Sequence, residues 1–217
     1  MTGIQQARVF SEHVTIDVQL PYLIYLPAEY GKSDRTWPLM LFLHGAGERG
    51  SDLDLVSQHG PPKLAAAGRQ FPFILVSPQC QTDEYWSVHI LKALLDRILA
   101  THRVDRSRIY LTGLSMGGNG TWRLATAHPG LFAALVPICG WGDASRVGIL
   151  KEVPVWAFHG KKDPVVVFER GERMVRALTA AGGNVKFTVY PNAGHDSWTQ
   201  AYDDPALYTW MMEQRKK

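Results

Sequence analysis

Short apolar runs alternate with segments of helical periodicity through most of the chain. Continuous apolar or β-branched runs are typical of strands covered on both faces of a sheet, and six such runs are present: Leu39–Leu43, Phe73–Val76, Arg108–Thr112, Ala133–Ile138, Val153–Phe158 and Val185–Tyr190. Strands that alternate with helices form βαβ units around a largely parallel sheet. The pattern therefore predicts an α/β fold with helices on both faces of a mostly parallel central sheet.

Two further runs precede these strands. Val14–Leu20 alternates apolar with polar residues, Tyr22–Leu26 follows it, and Pro21 and Pro27 end the two runs. Proline cannot donate a ladder hydrogen bond, so it is confined to the edges and ends of sheets. We predict an antiparallel, hairpin-like pair of strands at one sheet edge.

Helical spacing of apolar residues is clearest in two segments, Ser87–His102 and Phe168–Ala181. A third helical pattern covers Asn119–His128, and a last helix is predicted to open at Asp204 and to end near Met212. The apolar stripes place these helices against the sheet.

Two connections between strands differ in length. Gly45–Pro72 is long for a loop in a compact domain, which indicates a functional region. Cys139–Glu152 is short, so it leaves no room for a helical cap over the sheet. Because we find no linker rich in Pro, Gly or Ser, we expect residues 1–217 to form a single domain.

Composition narrows the classes of partner. The 217 residues are 46% hydrophobic and 20% charged, as in ordinary globular proteins, and the formal charge of +3 is too small to indicate nucleic acid binding. No apolar run approaches the roughly 20 residues that span a bilayer, so membrane insertion is not expected. Met1–Phe10 lacks the pattern of an export signal. We expect a soluble protein, either cytoplasmic or a mature or excised domain of a secreted one.

The two cysteines, Cys80 and Cys139, are too few for a disulfide framework and lack the spacing of metal ligands. Buried free thiols are the expected state. A single disulfide bridge between Cys80 and Cys139 is the alternative.

A G-x-S-x-G motif at residues 113–117 lies between a predicted strand and a predicted helix. This context is required of a nucleophile elbow, in which a sharp turn lifts a serine hydroxyl above the carboxyl ends of the strands. Gly113 and Gly117 permit such a turn around Ser115. We therefore predict Ser115 as a nucleophile rather than as a serine that caps the helix.

A serine hydroxyl needs a base that is itself oriented by a carboxylate, and in this kind of sheet the chain order is Ser, acid, His. Of the eight histidines, only His195 follows every plausible acid. Asp163, in the loop after a buried strand, is the best candidate for the acid. Asp143 remains an alternative, whereas Asp196 is disfavoured because adjacent side chains normally diverge.

Attack by a serine creates an oxyanion that preorganised N–H donors must stabilise. We predict the backbone N–H groups of Met116, after the nucleophile, and of Ala46, in the glycine-rich loop after an early strand. His44 in that loop is expected to be a structural hydrogen-bonding residue. Glu48 and Arg49 are expected to pair locally and to hold the loop.

Six segments, in their proper order, resemble signatures of the α/β-hydrolase superfamily: Tyr25–Pro27, His44–Gly50, Ser77–Cys80, Gly113–Gly118, His159–Asp163 and Gly194–Trp198. Within it they look like the small cap-less phospholipase/carboxylesterase and feruloyl or polyhydroxybutyrate-depolymerase-like esterases. The resemblance, from about Val14 to the C-terminus, implies an α/β-hydrolase fold without a cap and hydrolysis of carboxylic esters through an acyl-serine. The resemblance also implies that the reaction needs no cofactor. It implies the roles that are predicted above for Ser115, His195, Asp163, Ala46 and Met116.

Three tryptophans near the motif loops, Trp86, Trp141 and Trp198, are candidate walls of an open cleft. Such walls favour short-acyl or aromatic-acyl esters over long chains. The expected substrate is a small-molecule or polysaccharide-linked ester, with feruloyl-type esters of plant polysaccharide as a specific extension. The oligomeric state is left open.

Other classes of function stay as alternatives. A serine peptidase of the prolyl-oligopeptidase type shares the elbow and the order of the triad but usually carries a large gating domain. A lysophospholipase or thioesterase shares the same chemistry. A non-catalytic binding module would be expected to have lost a triad position, and a metal hydrolase is disfavoured because the sequence contains no H-E-x-x-H cluster.

Overall fold

The computed structural model describes residues 5–12 and 14–216, and residues 1–4, 13 and 217 lie outside the described part. Seven strands form one sheet in the order β1-β3-β2-β4-β5-β6-β7. Only β1 is antiparallel to its neighbour. The strands are β1 (Tyr22–Tyr25), β2 (Trp37–Leu43), β3 (Ile74–Pro78), β4 (Val104–Leu114), β5 (Ala134–Ile138), β6 (Val155–Gly160) and β7 (Val185–Tyr190).

Helices cover both faces of the sheet, which confirms the predicted architecture. They are α1 (Gly60–Ala66), α2 (Val88–Thr101), α3 (Met116–Ala127), α4 (Phe168–Ala180), α5 (Trp198–Asp203) and α6 (Pro205–Glu213). Short 3₁₀ turns occupy Ala46–Glu48, Leu53–Gln58 and Val147–Leu150. None of the helices in the described residues combines the length and the apolar character needed to cross a membrane.

The sheet separates two apolar cores. Along β2, Leu39 and Leu41 pack into the core beneath α2, α3 and α4, whereas Met40 and Phe42 pack into the core beneath α1, α5 and α6. Successive side chains of a strand point to opposite faces, so a strand covered on both sides must be apolar at every position. This explains why β2 is a continuous apolar run.

The predicted strand at Val14–Leu20 is wrong. This segment pairs with no strand, and Val14, Ile16 and Val18 are exposed. The following strand, β1, alone takes the free edge of β3, from Tyr22 opposite Pro78 to Tyr25 opposite Leu75. The antiparallel edge is therefore confirmed, but the hairpin is not, because alternation of apolar residues cannot make a strand without a hydrogen-bonding neighbour.

The long connection Gly45–Pro72 contains more regular structure than we predicted, including helix α1. Gly60 opens this helix with a φ of +65°, and a Cβ there would meet the ring of Phe42 at 2.7 Å. Pro61 and Pro62 are compatible with the helix because its first N–H groups have no intrahelical partner.

The short connection between β5 and β6 matches its prediction. In the described residues it contains only the 3₁₀ turn Val147–Leu150, so no cap covers the carboxyl edge of the sheet. The side of the sheet on which the motif loops meet is therefore open.

Candidate active site

Ser115 forms the sharp turn between β4 and α3. Its backbone has φ 52° and ψ −114°, a region that L-residues rarely adopt and that costs on the order of 1–3 kcal/mol. A Cβ on Gly117 would overlap the carbonyl oxygen of Leu43, and one on Gly113 would overlap the backbone of Gly117. The turn therefore requires glycine on both sides of Ser115, as the motif predicts.

His195 links the serine to an acid. Its Nε2 lies 2.9 Å from Ser115 Oγ, and its Nδ1 lies 2.8 Å from Asp163 Oδ2. The three side chains come from loops after β4, β6 and β7, which end at the same edge of the sheet. In this arrangement the imidazole can take the hydroxyl proton while the carboxylate orients the ring.

Asp163 is buried at 5% exposure, and its carboxylate is held from several sides. Oδ1 accepts hydrogen bonds from the N–H groups of Val165 at 2.9 Å and Val166 at 3.0 Å. His159 Nε2 lies 3.3 Å from Oδ2 and 2.8 Å from the carbonyl oxygen of Val166. Burial lowers the pKa of His159, so a neutral second histidine packs against the acid. No motif in the sequence indicates this contact between His159 and Asp163.

The alternative acids lie elsewhere. Asp143 is exposed and accepts hydrogen bonds from the N–H and hydroxyl of Ser145. Asp196 accepts from the N–H and hydroxyl of Thr199 at the start of α5. Asp163 is therefore the acid that the fold brings to His195.

The two predicted oxyanion donors lie on adjacent segments. Met116 is the first residue of α3, where N–H groups have no intrahelical partner. Ala46 is exposed and opens the 3₁₀ turn after β2. The contact between Gly117 and Leu43 packs the end of β2 directly against the start of α3. This contact brings the loop that carries Ala46 beside the turn at Ser115.

Glu48 holds this loop, but not by the predicted pairing with Arg49. Its buried carboxylate accepts a hydrogen bond from the N–H of Gly45 at 2.8 Å. Arg49 instead donates to the carbonyl oxygens of Ala46 at 3.0 Å and Glu84 at 3.2 Å. The spacing of Gly45 and Glu48 in the sequence could have predicted this bond. A Glu three residues after the N-cap residue of a helical turn commonly accepts a hydrogen bond from the backbone N–H of that N-cap residue.

His44 has the structural role that we expected. The N–H of Cys80 donates to its Nε2 at 2.9 Å, and its Nδ1 lies 2.6 Å from the carbonyl oxygen of Gly45. Burial lowers its pKa to about 4, so the ring is neutral near neutral pH. Both ring nitrogens are occupied by backbone partners.

The three candidate tryptophans have different surroundings. Trp86 is buried and donates its N–H to the carbonyl oxygen of His44 at 3.1 Å, so it supports the loop from beneath rather than forming an open wall. Trp198 is half-buried and packs edge-to-face on His195. Trp141 is half-buried, and its carbonyl oxygen accepts from the side chain of Asn119 at 2.9 Å.

Cys139 lies against the same site. One ligand atom each of Cys139, Asp163 and His195 lies within 4.8 Å of the others. Burial raises the pKa of the Cys139 thiol to about 12, which opposes the thiolate that a metal would need. Cys139 and Cys80 are both free and buried, so the bridge left open above is not formed. The cluster therefore fits a hydrogen-bonded His–Asp pair better than a metal site.

Comparison with known proteins places this geometry in a family. Residues 75–207, more than half of the chain, match the dienelactone hydrolase family. The chain belongs to the dienelactone hydrolase family. This family is part of the α/β-hydrolase superfamily, so the resemblance seen in the motifs is confirmed.

Relatives of this dienelactone hydrolase family member include esterases. Poly(3-hydroxyalkanoate) depolymerase C of Paucimonas lemoignei is 42% identical over an alignment covering 65% of this chain and 44% of the relative. The crystal structure of a thermostable esterase has a TM-score of 0.80 at 34% identity, covering 91% of this chain and 60% of that chain. A ferulic acid esterase shares the fold, with a TM-score of 0.66 at 21% identity, covering 88% and 90%.

The chain spans about half the length of the curated relatives that it matches. Family and relatives together identify an ester-hydrolysing enzyme domain.

Replacing His44 tests the electrostatics of the site. The pKa of His44 falls from 6.5 to about 4 on folding, so its protonation favours the unfolded state as pH drops below 6.5. Between pH 7 and pH 5 this group should reduce the free energy of unfolding by about 2 kcal/mol. In urea unfolding, the free energy of unfolding of His44→Gln should fall by about 2 kcal/mol less between pH 7 and pH 5 than that of the wild type. Equal losses in the two proteins would contradict the assignment of His44 as a buried neutral residue.

Proposed function

We propose that this chain is a serine esterase that cleaves short-acyl or aromatic-acyl esters through an acyl-serine intermediate. The observation that carries the proposal is the hydrogen-bonded series from Ser115 Oγ through His195 to Asp163, with distances of 2.9 and 2.8 Å. Ser115 stands on a strained turn, and Gly113 and Gly117 on either side of it leave room for the neighbouring backbone. Residues 1–217 would form its catalytic domain.

In the proposed acylation step, Ser115 Oγ forms a bond to the ester carbonyl carbon as His195 Nε2 takes its proton. Asp163 accepts the N–H of Nδ1 and stabilises the imidazolium that forms. Collapse of the tetrahedral intermediate breaks the bond to the alcohol, and His195 returns the proton to the departing oxygen. In deacylation, His195 Nε2 takes a proton from water as the water oxygen bonds to the acyl carbon. The bond from that carbon to Ser115 Oγ then breaks, His195 returns the proton to Oγ, and the carboxylic acid leaves.

The negative charge that develops on the carbonyl oxygen requires fixed donors. The N–H groups of Met116 and Ala46 are the proposed pair, because they lie on segments that Gly117 packs together. Each such donor is worth on the order of 10²–10³ in rate. Glu48 supports the second donor through the N–H of Gly45, one residue before Ala46.

The open edge of the sheet supports small acyl groups. Ser115 is partly exposed, the His195 side chain is 21% exposed, and no cap lies over them in the described residues. A long acyl chain needs an enclosed apolar tunnel to be desolvated. Trp198, which packs edge-to-face on His195, would flank a short or aromatic acyl group, and a feruloyl-type ester is the most specific substrate proposed. The partner would be a small-molecule or polysaccharide-linked ester.

A series of p-nitrophenyl esters from acetate to palmitate tests this function. We expect kcat/KM to be highest for short chains and to fall with length, because an open site cannot bury a long acyl chain. Ser115→Ala should lose nearly all activity while its thermal unfolding temperature stays close to that of the wild type. A maximum at palmitate would contradict the open site, and full activity in Ser115→Ala would contradict the nucleophile.

Replacing Glu48 tests the support of the oxyanion loop. Glu48→Ala removes the acceptor of the Gly45 N–H, so kcat should fall by roughly tenfold to a hundredfold, with a smaller change in KM. Glu48→Gln keeps an acceptor oxygen and should retain most of the activity. Steady-state kinetics with p-nitrophenyl acetate on folded variants compares the two. Equal kcat in wild type and Glu48→Ala would show that the loop does not need this bond.

A further inference from the structure

A groove with a volume of about 770 Å³ runs beside the site along the outer surface of α3. It begins at Asn119 and Trp141 and continues past Arg123 to Ala127. The N–H of Asn119 donates to the carbonyl oxygen of Ser115 at 3.0 Å, so the groove begins one helical turn from the proposed nucleophile. From Asn119 to Ala127 it extends about 12 Å along the helix.

Trp141 stands between this groove and a second depression of about 360 Å³, lined by Trp141, Glu169, Arg170 and Arg173. The backbone of Trp141 is fixed to α3 by the hydrogen bond from Asn119. Trp141 is half-buried and lines both hollows, so it offers an aromatic surface between them. The C–H face of a sugar ring packs well on such a surface.

The walls of the two hollows carry an excess of positive charge. Four arginines and two carboxylates line them together: Arg123, Arg146, Arg170, Arg173, Asp143 and Glu169. Among the described residues, none of these arginines forms an ion pair within 4 Å of a carboxylate oxygen. Arg123 donates to the carbonyl oxygen of Trp86 at 3.3 Å, so Arg146, Arg170 and Arg173 provide the guanidinium groups that are available to anions in solution.

Arg146 lines the groove together with Asp143, and Arg173 lines the second depression. The pKa of Asp143 is lowered first by hydrogen bonds from Ser145, and these two arginines lower it further. With four arginines against two carboxylates, the two hollows carry a net positive charge beside Trp141. Arginine presents its N–H donors in a fork that fits a carboxylate.

The occupant of the groove follows from its distance to Ser115. If the proposed esterase function holds, a short acyl group is confined to Ser115, so the part of the substrate that reaches beyond one helical turn is the alcohol. An alcohol that suits an aromatic surface and several arginines is polyhydroxylated and carries carboxylates. We propose that the groove binds the alcohol part of the substrate, an acidic carbohydrate whose sugar rings pack on Trp141 and whose carboxylates pair with Arg146 and Arg173.

Binding of unesterified oligosaccharides tests this inference independently of catalysis. Isothermal titration calorimetry would compare a trimer of galacturonic acid with a neutral xylotriose of the same length. We expect the acidic trimer to bind the wild type at least tenfold more tightly at low salt and to lose that advantage in roughly 0.5 M salt. Trp141→Ala should weaken binding of both trimers.

The double variant Arg146→Gln/Arg173→Gln should weaken binding of the acidic trimer by about tenfold and leave the neutral trimer nearly unchanged. Arg97→Gln, an exposed arginine on α2 that does not line the groove, is the matched control and should bind like the wild type. Equal affinity of the wild type for the two trimers, no measurable binding of the acidic trimer, or an unaffected double variant would overturn the inference.

Turnover of p-nitrophenyl acetate by the same wild-type preparation separates the two proposals. Selective binding of the acidic trimer without turnover would retain the carbohydrate groove and reject the esterase function. Turnover of p-nitrophenyl acetate without selective binding of the acidic trimer would retain the esterase function and reject the carbohydrate groove.

Discussion

The close approach of backbone segments at the start of α3 is the constraint on which the site depends. A Cβ on Gly117 would overlap the carbonyl oxygens of Leu43 and His44, and one on Gly118 would meet the backbone at Ile138 and Gly140. The ends of β2, β4 and β5 can therefore reach one point with no side chain between them. The strained turn at Ser115 is held in place by this contact and by the two cores beneath it.

Three histidines lie around this point, and their surroundings separate their roles. Burial lowers the pKa of His44 and of His159, which keeps both rings neutral where imidazole ordinarily titrates. The ring nitrogens of His44 lie against the backbone of Gly45 and Cys80, and Nε2 of His159 lies against the carbonyl oxygen of Val166. Only His195 lies between a hydroxyl and a carboxylate while keeping 21% of its side chain exposed.

Continuous apolar runs predicted the six main strands, and the G-x-S-x-G motif with the order Ser, Asp, His predicted the side chains that meet. Both follow from local pattern and chain order. The strand predicted over Val14–Leu20 is not formed. Strand pairing depends on a free neighbouring strand edge, which the pattern of apolar residues alone does not reveal. The contacts of His159 and Cys139 were missed because they join residues through loop geometry rather than through periodicity, whereas the spacing of Gly45 and Glu48 could have predicted the contact of Glu48.

Covalent labelling with a fluorophosphonate, followed by peptide mapping, tests the central claim that Ser115 is the nucleophile activated by His195. The account predicts one adduct per chain, on Ser115, and labelling of His195→Ala at least about a hundredfold more slowly. An adduct on another residue, such as the neighbouring Cys139, would contradict the claim. An unchanged labelling rate in His195→Ala would contradict it as well.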